Sequence, residues 1–354
     1  MLAGGALLAP RLLSAASLSP SAPADLPRWY GFNLTELFSG NHPGPFQETD
    51  FEMMKEWGFN FVRIPMSYWN WSKPDPDHWM EIDESVFKWV DQVVDLGKQY
   101  DIHVCLNLHR IPGYCINDGD KEPYQLFGKD AEGRQKSLTA AMYHWSYIAQ
   151  RYSSVAPDKV SFDLINEPPY MQPELYNQVV TALSNAIHSI DPHRQIIADG
   201  ISVGTAPDPL LSKDIIQSTR GYAPMNVTHY QASWVRGMDT LPTWPMKLGD
   251  GQVWDKARLA QHFEPWRALV KDGYRIHVGE WGVYSHTPHP VALAFMRDQL
   301  SLWKEWGWGW ALWNFRGDFG ILDSNRKDVQ YQAYKGHQLD SEMLSVLVDG
   351  MIKG

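Results

Sequence analysis

The chain has 354 residues, of which 44% are hydrophobic and 20% are charged, and this balance excludes a disordered or fibrous protein. Its 41 acidic and 31 basic residues give a formal net charge of −10 with no basic run, which argues against a nucleic-acid or anionic-membrane partner. Aromatic residues make up 13% of the chain, so the rings either thicken the core or line a groove for flat, uncharged ligands such as sugars.

The N-terminal 27 residues, MLAGGALLAPRLLSAASLSPSAPADLP, resemble a secretory leader with a cleavage site at Ala22-Pro23-Ala24. Arg11 is the only early positive charge, and it lies inside the apolar run. We therefore expect a leader over 1–27, a single folded domain over 28–354, and a secreted or periplasmic protein. No other segment approaches the ~18 consecutive apolar residues of a membrane span, so none is expected.

From residue 29 onward, short apolar runs alternate with amphipathic stretches at helical spacing. Eight runs are candidate strands, at residues 29–34, 61–66, 102–109, 160–167, 195–200, 225–230, 275–281 and 309–315. Helical patterns separate or follow them at residues 49–58, 84–100, 137–152, 174–190, 258–273, 291–307 and 339–351. This alternation, without a composition break, predicts one closed (β/α)8 TIM barrel with elongated βα loops that form a substrate cleft. An open doubly wound sheet is the alternative.

The ends of the predicted strands share polar or aromatic residues. In a barrel the carboxyl ends of the strands meet at one mouth, where the βα loops begin. Six ends carry such residues: Arg63-Ile64-Pro65, His109-Arg110, Asn166-Glu167, His229-Tyr230, Glu280-Trp281 and Trp313-Asn314. Any one of them can be a strand-end charge that reaches water or a capped core histidine. Six at one mouth predict a functional site.

Two of these residues, Glu167 and Glu280, suggest a reaction. Two carboxylates that flank one bond suffice for glycoside hydrolysis, because one protonates the leaving oxygen and the other attacks the anomeric carbon or activates water. The sequence has no phosphate loop, no nucleotide-binding glycine motif and no zinc spacing. We therefore expect no cofactor and no metal, and a carbohydrate substrate.

The motifs FVRIP, NLHRIPGY, LINEP, THYQ, VGEWG and LWNFRG, in this order, resemble glycoside hydrolase family 5, the cellulase-like group with glutamates on barrel strands four and seven. The resemblance spans roughly residues 28–350. LINEP and VGEWG, with their order and separation, are its most specific signals. It implies a retaining β-glycosidase, of the endo-β-1,4-glucanase type, acting on β-glucan, mannan or derived oligosaccharides, and we expect a monomer.

The resemblance also implies a role for each motif residue. Glu167 would be the general acid/base and Glu280 the nucleophile, with Arg63 beneath Glu280 to keep it ionised. Asn166 would bind the 2-hydroxyl of the sugar. Two further residues complete the substrate site, since His109 would orient the substrate and Trp313 would stack against the reacting ring.

The sixth predicted strand departs from the family pattern. The family commonly has His and Tyr two residues apart on that strand, whereas Thr228-His229-Tyr230-Gln231 has them adjacent. Successive strand residues point to opposite faces, so His229 and Tyr230 cannot both face the sugar without a bulge or turn. Either Tyr230 takes the tyrosine position and bonds Glu280, or His229 keeps its place and Gln231 replaces the tyrosine. We favour Tyr230 and keep both as candidate substrate-binding residues.

Two long loops are rich in tryptophan. The loop at 67–80 contains Trp69 and Trp71, and the loop from Gln231 to about Asp255 contains Trp234 and Trp244. Long ordered loops are usually functional, and sugar faces stack on aromatic rings. We expect these four rings to line the cleft. An open groove would make the protein an endo-acting glucanase or mannanase, and a closed pocket an exo-acting glucanase or glucosidase.

Two other classes of protein remain alternatives. A carbohydrate-binding barrel without catalysis would keep the aromatic residues but would not need both glutamates. A metal-dependent barrel hydrolase would use His109, His229 and carboxylates, and its activity would be lost in excess chelator. The two cysteines, Cys105 and Cys115, are expected to be thiols because pairing would require a loop to fold back over its own strand.

Overall fold

The computed structural model describes residues 28–41, 43–117 and 119–352, and the predicted leader at 1–27 lies outside the described residues. Eight parallel strands form a closed barrel. They are β1 (Tyr30–Asn33), β2 (Phe61–Ser67), β3 (His103–Ile111), β4 (Val160–Asp163), β5 (Gln195–Asp199), β6 (Ile216–Gly221), β7 (Arg275–Trp281) and β8 (Gly309–Leu312). Each strand pairs with its sequence neighbours, and β8 pairs with β1 to close the ring. The predicted (β/α)8 barrel is confirmed, and the open sheet is excluded.

Among the described residues, eight α-helices of seven or more residues lie outside the barrel, and two helical segments of four residues, Ile201–Gly204 and Met225–Thr228, are shorter. The eight longer helices are α1 (Glu48–Glu56), α2 (Phe87–Tyr100), α3 (Ala131–Tyr152), α4 (Pro173–His188), α5 (Lys256–His262), α6 (Glu264–Lys271), α7 (His289–Trp306) and α8 (Ser341–Gly350). Local chemistry sets several of their ends. Asp130 caps α3 by accepting the backbone N–H groups of Glu132 and Gly133, and α7 stops where Gly307 adopts a left-handed φ of 73°.

Side chains alternate between the inside and the outside of the barrel because successive strand residues point to opposite faces. On β2, Val62 and Ile64 belong to the large cluster between strands and helices, whereas Phe61 belongs to a separate small cluster in the barrel interior. Arg63, two residues after Phe61, is therefore directed inward at the carboxyl end of the barrel. The strand places an arginine inside the mouth.

A layer of four rings, which we call the ring layer, closes the interior toward the amino ends of the strands. Trp29 stacks on His103 with ring centroids 4.2 Å apart, and Phe61 lies 4.9 Å from His277 and parallel to His103. Burial lowers the pKa of His103 to about 4 and that of His277 to about 3. Both imidazoles are therefore neutral at neutral pH, and the layer carries no charge.

Seven of the eight predicted strands appear, and the sixth prediction is wrong. Residues 225–230 do not form a strand, because Met225–Thr228 is a helical turn. The sixth strand is instead β6, whose sequence IQSTRG has only one strongly apolar side chain. Its polar side chains are satisfied locally: Gln217 exchanges two hydrogen bonds with the backbone of Asp208, and Thr219 donates to the carbonyl of Gly204. Hydrophobicity was the wrong signal for this strand.

Three smaller observations complete the fold. Strand β4 ends at Asp163, four residues before the predicted end at Glu167. Cys105 and Cys115 are buried thiols, and neither forms a disulfide. In the described part of the chain, no helix combines the length and apolar character that a membrane crossing requires.

Candidate active site

Glu280, near the end of β7, sits in a pocket of cationic and hydroxyl donors. Arg63 donates Nη1 to Glu280 Oε1 at 2.6 Å, and the Nε of the same guanidinium donates to Asp163 at 2.7 Å. Glu280 is 4% exposed and Arg63 is 1% exposed, so water screens this ion pair little. The contact between Arg63 and Glu280 is the one that the resemblance implies.

Glu167 follows β4 and is held by its backbone as well as its side chain. Its φ is +48°, a left-handed conformation in which its N–H donates to Asp199 Oδ2 at 2.8 Å and its carbonyl accepts from the Tyr114 hydroxyl at 2.6 Å. Burial and the nearby negative charge of Glu280 raise the pKa of Glu167 to about 7, although Arg220 opposes the rise. This carboxyl can hold a proton near neutral pH.

Arg220, at the end of β6, joins the two glutamates and was not predicted. Its Nε donates to Glu167 Oε1 at 2.8 Å, and its Nη2 contacts Glu280 Oε1 at 3.2 Å. Asp199 is fully buried at the end of β5, and both of its carboxylate oxygens accept hydrogen bonds from the same guanidinium. We call the seven residues that these bonds connect the mouth cluster: Arg63, Asp163, Asn166, Glu167, Asp199, Arg220 and Glu280.

The hydroxyl on Glu280 comes from Tyr222 and not from Tyr230. Tyr222 donates to Glu280 Oε2 at 3.3 Å, whereas the Tyr230 hydroxyl accepts from the neighbouring Gln231 amide. The prediction that Tyr230 or Gln231 fills the tyrosine position is therefore corrected. The physical reason is that the sixth strand lies earlier in the chain than predicted, since β6 ends at Gly221, four residues before the helical turn that begins at Met225.

His229 and Thr228 lie behind Tyr222. Thr228 Oγ1 donates to the Tyr222 carbonyl at 2.6 Å and lies 2.9 Å from His229 Nδ1. The His229 ring stands edge-on to the Tyr222 ring at 5.0 Å. Thr228 therefore contacts the backbone of Tyr222, and His229 contacts its ring.

Arg220 and Tyr222 show a signal that was available in the sequence. They stand two residues apart, the same spacing at which the family commonly has His and Tyr. Asp199 also ends a predicted strand, at 195–200, and fits the same strand-end rule as the other site residues. Asp199 follows from applying that rule to strand five, whereas Arg220 was hidden because strand six was predicted at 225–230.

Three predicted substrate-binding residues, His109, Asn166 and Trp313, lie at the mouth. The first two have polar side-chain atoms without a hydrogen-bond partner, and the third has a partly exposed ring. Among the described residues, neither ring nitrogen of buried His109 has a hydrogen-bond partner, and neither does the Asn166 amide nitrogen. The Asn166 oxygen is occupied by Arg63 at 2.8 Å and Arg220 at 3.0 Å, which turns the amide nitrogen into a free donor. Half-buried Trp313 lies 6.0 Å from the His109 ring.

The two tryptophans of the loop after β2 have different environments. Trp71 is 2% exposed, packs on Phe87 and donates Nε1 to His144 at 3.1 Å, so its predicted place in the cleft is wrong. Trp69 is half-buried, donates Nε1 to the buried carboxylate of Glu122 at 2.9 Å, and lines a cavity of about 390 Å³. Trp71 also borders this cavity, so the two rings differ in how far they are buried and not in whether they reach it.

The two tryptophans of the loop after β6 differ in the same way. Trp244 donates Nε1 to Asp298 at 2.9 Å and stands edge-on to Phe295. Those residues lie six to nine positions into α7, roughly 9 to 14 Å below its start at the mouth, so Trp244 packs on the side of the barrel and its predicted place in the cleft is wrong. Trp234 is 59% exposed and 6.2 Å from the His229 ring, on the mouth side.

A metal ion has no evident ligand set here. Among the residues that the structure describes, no group of three or more His, Cys, Asp or Glu side chains is arranged to hold one. The carboxylates of the mouth cluster are instead bonded to two arginines.

Comparisons with known proteins identify the family and the fold. A family model described as Cellulase (glycosyl hydrolase family 5) matches residues 21–318. Endoglucanase C of Acetivibrio thermocellus is 25% identical over 331 residues, which cover 84% of this chain and 92% of that protein. A crystal structure described as a glycoside hydrolase has a TM-score of 0.86 at 38% identity, covering 92% of this chain and 100% of that one. Endoglucanase Cel5A from Thermotoga maritima has a TM-score of 0.72 at 24% identity, covering 90% and 96% of the two chains, and shares the fold.

Proposed function

This chain belongs to glycosyl hydrolase family 5 and is a retaining glycoside hydrolase, and on that premise we propose that it cleaves β-1,4-linked glucan internally, as an endoglucanase. In this proposal Glu280 is the nucleophile and Glu167 the general acid/base. The assignment rests on one observation: at the barrel mouth, the guanidinium of Arg220 bonds to the carboxylates of both Glu167 and Glu280.

The surroundings of Glu280 suit a nucleophile. Its Oε1 accepts from Arg63 and Arg220, and its Oε2 accepts from Tyr222. Two cations and a hydroxyl therefore donate to the group that attacks the anomeric carbon. The same donors limit its rotation, so the attacking oxygen is positioned before the substrate arrives.

The surroundings of Glu167 suit an acid that later acts as a base. The raised pKa, about 7, keeps a proton on the carboxyl in mildly acidic solution, where it can protonate the leaving oxygen. Once Glu280 is esterified, its negative charge is gone and the pKa of Glu167 falls. The carboxylate can then take a proton from the attacking water.

The unused donors at the mouth suit a sugar in the cleavage subsite. Asn166 offers its amide nitrogen to a ring hydroxyl, and the neutral imidazole of His109 offers one donor and one acceptor. Trp313 supplies the apolar face against which a sugar ring stacks. A pyranose needs both kinds of contact.

Endo action on a glucan is supported by two observations. Endoglucanase C of Acetivibrio thermocellus matches 84% of this chain, and Trp234 is 59% exposed with its ring 6.2 Å from that of His229. An exposed ring at a distance from the reacting bond can bind a further unit of a long chain. Half-buried Trp69 is the second ring that binds a further unit in this proposal.

The substrate is tested with carboxymethylcellulose, mannan, xyloglucan, laminarin and aryl β-glycosides, with solution viscosity and reducing ends measured together. We expect carboxymethylcellulose to lose viscosity long before reducing ends accumulate, because internal cuts shorten the polymer fastest. Excess chelator should leave the rate unchanged. A preference for laminarin or mannan, or reducing ends without a viscosity loss, would contradict the proposal.

The roles of the two glutamates are tested with Glu167→Ala. A 2,4-dinitrophenyl glycoside needs no protonation of its leaving group, so its glycosylation step should survive while deglycosylation slows. Azide should then restore turnover by attacking the glycosyl-enzyme. Equal losses on activated and unactivated substrates, with no azide rescue, would reverse the assignment.

A further inference from the structure

Arg220 is the one side chain of the mouth cluster whose charged group contacts both glutamates. It is 3% exposed, and its Nε and Nη2 point at Glu167 and Glu280 respectively, at 2.8 and 3.2 Å. Arg63 differs, because it contacts Glu280 and Asp163 but makes no bond to Glu167. The two arginines are therefore not equivalent.

Asp199 fixes the position of the Arg220 guanidinium. Its two oxygens accept from Nη1 and Nη2, a forked arrangement that only arginine can make. Asp199 Oδ2 also accepts the backbone N–H of Glu167 at 2.8 Å. The buried carboxylate of Asp199 therefore fixes the positions of both the Arg220 guanidinium and the Glu167 backbone.

The double displacement moves one negative charge between the two glutamates. In the first step a Glu280 oxygen bonds to the anomeric carbon, the bond from that carbon to the leaving oxygen breaks, and the Glu167 proton passes to the leaving oxygen. Glu280 becomes a neutral ester and Glu167 a carboxylate. In the second step water gives its proton to Glu167, its oxygen bonds to the anomeric carbon, and Glu280 is released as a carboxylate.

We propose that Arg220 is a positioning residue that serves as the shared counter-ion of this charge, bonded to the glutamate that carries it in each half of the reaction. The inference rests on the proposed roles of Glu167 and Glu280. The arginine does not have to move, because the charge shifts from the Nη2 side of a fixed guanidinium to its Nε side. A fixed dipole or ion that already faces the developing charge lowers the barrier without reorganisation.

Other groups near the two glutamates also affect their titration. The side chains facing the pair, or within electrostatic reach of it, are Arg63, His109, Tyr114, Asp163, Asp199 and Tyr222. Since these groups remain in every variant below except where stated, differences between variants report on Arg220 and its anchor.

The test is a carboxyl titration by NMR on protein labelled with carbon-13 in the glutamate side chains, with Glu167 and Glu280 assigned from their Gln variants. In Arg220→Gln both carboxyls lose a cation, so each midpoint should rise by about 1 to 3 pH units. In Asp199→Asn the Arg220 cation stays but the negative charge of Asp199 beside it is removed. The titration midpoints of both glutamates should therefore fall. Arg220→Lys should shift one midpoint more than the other, because an ammonium cannot reach both glutamates and Asp199 together.

Arg194 provides the matched control. It is as buried as Arg220, but it binds Asp191 and backbone carbonyls next to the amino ends of the strands. Arg194→Gln should lower the melting temperature and leave both midpoints unchanged. If Arg220→Gln does not fold, the near-isosteric Asp199→Asn still decides the matter by the direction of its shift.

The bell-shaped pH profile of kcat/KM should shift in the same directions as the titration midpoints. It should move to higher pH in Arg220→Gln and to lower pH in Asp199→Asn. Unshifted midpoints in folded Arg220→Gln and Asp199→Asn would overturn the inference. Because the titration needs no substrate, its failure is distinct from a failure of the proposed function, which would show as wild-type protein inactive on every polymer.

Discussion

Two layers inside the same barrel, about 7 Å apart along β2, have opposite chemistry. The mouth cluster packs two arginines among four carboxylates, whereas the ring layer packs four neutral rings at the other end. Phe61 and Arg63, two residues apart on one strand, belong to the two layers. Burial is nearly complete in both, with Phe61 0% and Arg63 1% exposed. Depth alone therefore does not decide which chemistry a layer carries.

The difference is one of pairing. The ring layer excludes charge, and its histidines are held neutral by burial. The mouth cluster keeps its charges because each arginine meets two or more carboxylates within hydrogen-bond distance. Unpaired, such charges would be costly to bury, so the cluster is stable only as a set. We expect substitutions in the mouth cluster to change activity and those in the ring layer to change stability.

The largest effect is expected for Glu280→Gln at the mouth. Without a nucleophile no glycosyl-enzyme forms, so kcat on every substrate should fall roughly 10⁴-fold or more. Asp340→Asn changes a fully buried carboxylate at the N-terminus of α8 and should keep its activity, since it lies outside the mouth cluster. Initial rates on an aryl glycoside check both. Activity of Glu280→Gln within a hundredfold of wild type would remove Glu280 from its role.

Phe61→Ala in the ring layer should have the next largest effect, on stability. Removing a fully buried phenylalanine leaves a cavity, and the free energy of unfolding should fall by about 3 to 5 kcal/mol. The folded fraction should keep its wild-type kcat, measured well below the melting temperature. A variant that is stable but inactive would show that the two layers are not separate in function.

The two layers should respond to pH in opposite directions. The folded pKa of His103 is lowered to about 4 from about 6.5, so the stability that depends on its neutral form is complete above pH ~6.5 and is lost as the pH falls toward 4. The folded pKa of Glu167 is raised to about 7, so its contribution is complete below its unfolded pKa, ~4.3, and is lost as the pH rises through 7.

Denaturant unfolding between pH 4 and 7.5 measures this pair. His103→Gln should remove roughly 3 kcal/mol of the loss seen toward pH 4, and Glu167→Gln should remove part of the loss seen toward pH 7.5. Both slopes are read as differences from wild type, so groups common to all three proteins cancel. If His103→Gln and Glu167→Gln changed the pH dependence of the unfolding free energy in the same direction, the two layers would not respond oppositely to pH.

The smallest effect is expected for Trp234→Ala at the rim of the mouth. A stacked ring beyond the cleavage point should cost tenfold or less in kcat/KM on a polymer, and almost nothing on a short aryl glycoside. Trp71→Ala is the buried counterpart and should lower the melting temperature without any dependence on substrate length. Equal losses for Trp234→Ala on both substrates would mean that this ring is structural.

The sequence predicted strands whose outward faces are apolar, and with them Arg63, Asn166, Glu167 and Glu280 at the ends of strands two, four and seven. It misplaced β6, because that strand satisfies its polar side chains through Asp208 and Gly204 and has little apolar surface to detect. Misplacing the strand then hid Arg220 and Tyr222.

The tryptophans show a second limit. Composition cannot separate Trp71, which fills the core, from Trp234, which faces solvent, because both lie in long aromatic loops. The decision depends on tertiary neighbours such as Phe87 and His144, which are distant in the sequence.

The mouth cluster also links the first four strands to the last four. Arg63 on β2 bonds Glu280 on β7, Arg220 on β6 bonds Glu167 and Asn166 after β4, and Asp199 on β5 bonds the Glu167 backbone. Each half-barrel contains only some of the partners for its own arginine: Asp163 bonds Arg63 in the first half, Asp199 and Glu280 bond Arg220 in the second, and the remaining bonds cross between the halves. During folding, a half that docked without the other would bury Arg63 or Arg220 only partly paired, so assembly of the two halves and assembly of the catalytic site are one event.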